Sequence, residues 1–143
     1  MIVDLINNTS YQKIVTVQIR EIIKFLVEHS NEFGITANIK GVSFNPELPS
    51  VISAKLAPFP MFVLANYSFE SLNVYDDYLE FEAGFGKENF GSVIKIPLKA
   101  IFQIVVDESI LYLNPVATLN NIFENTNNIA KSKSKLTLAS KKL

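Results

Sequence analysis

Between residues 10 and 30 the apolar positions follow a helical period. Ile14, Val17, Ile22, Phe25 and Leu26 fall on one stripe, with Lys13, Arg20, Lys24 and Glu28 mostly elsewhere. Thr9 or Ser10 suits the N-cap and Gly34 the stop. Val15, Ile19 and Ile23 widen the apolar surface beyond that stripe. A helix that is apolar on more than one face must bury both. One face is expected to meet its own domain and the other a second copy, so the pattern predicts a homodimer. Val15, Ile19, Ile22, Ile23 and Leu26 are the residues assigned to the dimer interface.

Beyond Gly34 the period shortens. "ITANIKGVSF" (35–44) reads as a strand, and "NPELPSVISAKLAPFP" (45–60), with four of the six prolines, as a loop carrying a helical turn near Ser50–Leu56. "MFVLAN" (61–66) is a short apolar strand. "YLEFEAGF" (78–85) alternates Leu79, Phe81, Ala83 and Phe85 against Tyr78, Glu80, Glu82 and Gly84. "GSVIKIPL" (91–98) follows, then a turn opened by Pro97, then "QIVV" and "ILYLNP" flanking "DES" as a last hairpin. One helix and about six short strands predict a mainly β, α+β domain, commonly a small bent barrel or sandwich. From Val116 the pattern dissolves into Asn, Ser and Lys, which reads as a linker, and apolar residues return only in "LTLASKKL" (136–143). The expected organisation is a leader over 1–9, a domain over 10–115, a linker over 116–135 and a tail over 136–143.

Composition narrows the function. The chain has 143 residues, 48 % of them apolar, and no cysteine, which fits one globular domain in a reducing compartment. Nothing resembles a secretory signal or a membrane-spanning run, so a cytoplasmic protein with no membrane partner is expected. The net charge of −1 conceals a segregation. Residues 1–130 hold 8 cations and 14 anions, 8 − 14 = −6, and the last 13 residues hold 5 lysines and no anion, +5. An acidic body argues against a nucleic-acid partner, because phosphate affinity comes from cations. With His29 the only histidine and no cysteine, a nucleophile–base pair has no material. Glu80 and Glu82 share a strand face without forming a cage, and "GFGKENFG" joins two strands as a hairpin loop rather than cradling a phosphate. No catalytic residue, metal site or cofactor is expected. Binding remains: Ala83 between Phe81 and Phe85 leaves a notch in an apolar row, which suits either close packing or a side chain of a bound peptide.

Three stretches carry a resemblance. "MFVLANYSFESL" (61–72), "FEAGFG" (81–86) and "SVIKIPLKAIFQI" (92–104) resemble the SspB family, adaptors that deliver tagged substrates to the ClpXP protease. The loop at 41–60 looks most like the alphaproteobacterial branch, and the resemblance covers roughly residues 12–114. It implies an Sm-like or SH3-like bent barrel with an N-terminal dimerising helix, and binding of the ssrA degradation tag without catalysis. It implies that the Phe-x-Ala-x-Phe strand lines the peptide groove: Phe81, Glu82, Ala83, Gly84 and Phe85, with Met61 and Asn66 on a neighbouring strand and Phe59 closing one end. It also implies that the tail docks on the ClpX unfoldase, through Leu136, Leu138, Lys141 and Lys142. The tail departs from the family pattern in ending on Leu143 and in lacking an aromatic residue or a valine pair. An Sm-like RNA-binding protein is the competing expectation, and the −6 body speaks against it.

Overall fold

The computed structural model describes residues 1–121 and 123. Two helices lead: α1 (Ile2–Ile6) and α2 (Thr9–His29). The N-cap of α2 is Asn8, one residue ahead of the expected Thr9 or Ser10, and its side-chain oxygen accepts from the amides of Ser10 (2.9 Å) and Tyr11 (3.1 Å). The helix ends at Ser30, whose backbone is already extended, so Gly34 is free to lie inside the next strand. The buried stripe of α2 is Gln12, Val15, Ile19, Ile23 and Leu26, and the Gln12 amide donates to the Ile6 carbonyl (2.9 Å), tying α1 to α2.

That stripe corrects the expected dimer interface. Ile19 and Ile23 are fully buried within the single chain, Val15 and Leu26 nearly so, and Ile22 packs against the same core. They close the domain's own core and leave nothing for a second copy. Ile14 and Phe25, on the first apolar stripe, are more than half exposed. The helix is Ile- and Val-rich around much of its circumference, so the period alone did not say which side faces in.

Eight strands form two antiparallel sheets. The first, in the order β3-β1-β7-β8, contains β1 (Glu32–Ala37), β3 (Met61–Ala65), β7 (Ile101–Val106) and β8 (Ser109–Leu113). The second, in the order β2-β6-β5-β4, contains β2 (Ser43–Asn45), β4 (Asn73–Val74), β5 (Tyr78–Phe85) and β6 (Phe90–Pro97). The α+β class is the one expected. The sheets remain two open four-stranded layers, with no ladder among the described residues closing them into a barrel. A three-residue 3-10 turn, Ile39–Gly41, breaks the single strand expected over 35–44 into β1 and β2, which belong to different sheets. Short helices α3 (Ser50–Ser53) and α4 (Tyr67–Glu70) occupy the connections.

The core lies between the sheets under α2. Phe33, Ile35, Leu64 and Ile104 face Leu79, Phe81, Ile94 and Ile96, all buried. Phe62 packs edge-on against Phe81 at 5.8 Å between centroids, across the sandwich. The core extends past the expected domain end at 115: Val116, Ala117, Leu119 and Phe123 are buried, and Phe123 packs over Gly41. The leader likewise belongs to the body, since α1 lies within 1–9 and buries Ile6. Among the described residues no helix is long and apolar enough to cross a membrane.

Candidate functional site

The β5–β6 hairpin fixes the site by its register. Glu82 pairs with Val93, Ala83 with Ser92, and Gly84 with Gly91. Leu79 and Phe81 are buried, so every second residue of β5 faces the core and Glu82 and Gly84 face out. Val93 also pairs with Asn45 of β2, which gives the outer face a row Glu82–Val93–Asn45 beside the Gly84–Gly91 pair. Two facing glycines, one pair before the hairpin turn, bring no side chains of their own to the outer face there. The result is an open groove of about 340 Å³.

Its walls come from three connections. Tyr67, at the start of α4, reaches across so that its hydroxyl donates to a Glu82 carboxylate oxygen. Ser71 holds the base of that wall, its hydroxyl oxygen accepting from the Glu82 amide (2.9 Å). Asn66, with φ of +52°, turns the chain sharply from β3 into α4 and so aims Tyr67 at β5. Opposite, Asn89 (φ +53°) lies over Gly84: a Cβ there would come within 1.7 Å of its side-chain oxygen. A larger residue at 84 would displace the Asn89 side chain. A Cβ on Gly91 would meet nothing within 4 Å and would point into the groove. The third wall is the β2–α3 connection, pinned where the Ser92 hydroxyl donates to the Pro46 carbonyl (2.9 Å).

The hydrogen bond from Tyr67 to Glu82, and then the carboxylate's charge, hold the Tyr67 hydroxyl above its ordinary pKa, because both favour the neutral phenol. Among the described residues Glu82 is the one charged residue lining the groove, which otherwise offers amides, the Tyr67 and Ser92 hydroxyls and apolar surface. β2 ends opposite Val93, so β6 from Phe90 to Ser92 has no strand partner on that side among the described residues. A free edge beside a glycine floor can take an extended backbone by strand addition.

Of the eight residues expected in a peptide groove, the structure gathers three: Glu82, Ala83 and Gly84. Ala83 is half-buried, packs against the core and lines the groove, while the bare backbone of the outer face is at Gly91. Phe81 is a core residue, and Phe85 packs edge-on against Phe44 at 5.8 Å. Met61 belongs to the other sheet, Phe59 packs on Phe102 at 5.2 Å, and Asn66 shapes the wall without lining the groove. Phe81 and Phe85 miss the groove because they lie on the inward face of β5, and Met61 because the strand at 61–65 pairs with β1 rather than with β5. Sequence reasoning missed Tyr67, Asn89 and Gly91. Gly91 was legible, since a hairpin register that pairs Ala83 with Ser92 places it opposite Gly84. The expected docking residues Leu136, Leu138, Lys141 and Lys142 lie outside the described residues. Among those described, no three His, Asp or Glu side chains gather as a metal site would require.

Neither the family models nor the curated sequences compared with this chain match it.

Proposed function

We propose that the protein is a cytoplasmic, non-catalytic adaptor that holds an extended, ssrA-type peptide in this groove and hands its bearer to the ClpXP protease. The observation that carries the reading is the bare backbone at Gly91, open to solvent beside the Gly84–Asn89 contact and flanked by the stretch of β6 that no strand pairs on that side among the described residues. A peptide backbone can approach a glycine floor closely, and a free strand edge can hydrogen-bond it. The SspB resemblance gives the peptide its class. The last 13 residues, acid-free and with five lysines, suit the unfoldase contact, since attraction between opposite charges speeds encounter. The dimer implied by the resemblance is assigned to Ile14, Val17 and Phe25, three of the exposed apolar residues of α2.

Gly91→Leu tests the groove. The new side chain enters open space, so the fold should persist, and the groove should fill. In a fluorescence anisotropy titration with a labelled ssrA-type peptide, affinity should fall at least about tenfold, or about 1.4 kcal/mol. A single-stranded RNA run alongside should bind neither protein. An unchanged peptide affinity, or RNA binding that Gly91→Leu abolishes, overturns the reading.

A further inference from the structure

The sheet on the opposite side of the molecule is unusual on its outer face. Register across its four strands gives one row Val63–Gly34–Val105–Ile110 and a second row Met61–Thr36–Gln103–Leu113. An antiparallel sheet with one face on the core ordinarily turns polar residues outward. Here Met61, Val63, Ile110 and Leu113 are exposed apolar residues, each about half accessible. Gly34 sinks the centre of the face, and Met61 leans over it: a Cβ on Gly34 would sit 2.8 Å from the Met61 sulfur. The depression measures about 720 Å³. Thr36 lies in the second row with its hydroxyl lacking a hydrogen-bond partner.

One end of this face is acidic. Glu32 opens β1, and Asp107 and Glu108 form the two-residue turn between β7 and β8, beside it. Among the described residues no cation lines the depression. A second copy of the body is a poor occupant on charge, because residues 1–130 carry −6. The complementary segment is in the chain itself. Residues 136–143, "LTLASKKL", place alternating leucines before paired lysines.

The order matches as well as the chemistry. Phe123 packs over Gly41, just beyond the end of β1 nearest the Thr36 row, and the acids lie at the far end. The 13 residues from Phe123 to Leu136 have a root-mean-square span of roughly 20 Å, ample to reach the near row. From Thr36 to Glu32 is four strand residues, roughly 13 Å, and from Leu136 to Lys141 is five, roughly 17 Å extended.

We propose that the outer face of the β3-β1-β7-β8 sheet is the docking surface for this chain's own C-terminal segment, with Leu136 and Leu138 over the apolar rows and Lys141 and Lys142 against Glu32, Asp107 and Glu108. The proposal goes beyond the adaptor reading and does not depend on it. It adds to that reading a competition, because a tail held on the body must be released before it can dock elsewhere.

The chain has no cysteine, so Ser140→Cys gives a single site for a nitroxide label in the full-length protein. Amide signals of Val63, Gly34, Val105 and Ile110 should broaden, while those of Gly84 and Gly91 on the other sheet should not. Broadening should fade at 1 M salt, where the Debye length is about 3 Å. It should also be lost in Val105→Glu, which puts a charge on the apolar floor. In an equal mixture of labelled chain and 15N chain without label, the 15N chain should show none. Broadening spread evenly, absent, or centred on Gly84 and Gly91 overturns the proposal. Broadening in the mixture makes a second copy's tail the occupant and overturns it too.

Discussion

Ile19→Ala and Ile14→Ala remove the same atoms from the same helix, and the structure assigns them opposite consequences. Ile19 is fully buried, whereas Ile14 is 55 % exposed. Ile19→Ala deletes three carbons from the core, about 2.4 kcal/mol at ~0.8 kcal/mol per buried methylene. The cavity left behind raises the cost to about 3–4 kcal/mol, within the ~2–5 kcal/mol found for such truncations. A body of about 120 residues has an unfolding entropy of roughly 0.25 kcal/mol/K, so the melting temperature should fall by roughly 12–16 °C. Ile14→Ala should stay within about 0.5 kcal/mol, or roughly 2 °C. Thermal unfolding followed by circular dichroism at 222 nm measures both. Light scattering on the same samples separates packing from association, since Ile14→Glu combined with Phe25→Glu should halve the mass of the proposed dimer without lowering stability comparably. Equal melting shifts for Ile19→Ala and Ile14→Ala would refute the inward stripe. A halved mass with an unchanged melting temperature in Ile19→Ala would restore the interface read from the sequence.

Tyr67 should titrate above the ordinary tyrosine value of about 10, and Glu82→Ala should bring it back toward that value, read from its ring resonances between pH 8 and 12. The sign follows from the neutral phenol being the donor: the wall contact is present below the unfolded-state pKa and is lost as pH rises through the raised folded-state value. Asn114, wholly buried, donates to the Lys99 (3.0 Å) and Ile101 (2.9 Å) carbonyls and accepts from the Val116 amide (3.0 Å). Asn114→Leu strands these buried groups at ~1–3 kcal/mol each, so it should lower stability by about 3–5 kcal/mol in urea unfolding, and a loss under 1 kcal/mol would contradict the network.

The parts of the fold with a decisive period were legible. Alternation over 78–85 predicted β5 with both ends right, because a strand half on the core leaves no freedom of face. Helix α2 was legible as an element and not in orientation. Val15, Ile19, Ile23 and Leu26 form one stripe, Ile14, Val17 and Phe25 another, and both are apolar enough to be the core. Helix α4 and strand β4, four and two residues long, are too short for any period to show, and with them went the wall residue Tyr67. Residues 116–123 read as linker because Val116, Leu119 and Phe123 stand among polar neighbours, yet each fills the core individually. In the groove, the eye went to Ala83 as the small residue in an apolar row. The alternation of β5 turns that row inward, and the bare backbone of the outer face lies across the hairpin at Gly91.

Two open faces on two separate sheets have a physical consequence. The groove between Tyr67 and Asn89 lies on the outer face of β5 and β6, and the apolar depression lies on the outer face of β1, β3, β7 and β8. The core of Phe33, Ile35, Phe81 and Ile94 stands between them. Among the described residues the two share no lining residue, and distant sites with no shared partners tend to respond independently to substitution. A closed barrel would wrap both surfaces around one continuous ladder, where a bulge at Thr36–Ala37 or Ile104–Val105 could pass strain onward. Here those bulges stay within the β1–β7–β8 ladder, and the β5–β6 register runs unbroken from Tyr78–Pro97 to Phe85–Phe90. On the proposed adaptor reading, a peptide held against β5 and β6 would therefore keep its geometry whether the outer face of the other sheet is covered or bare, because the two sheets share no strand.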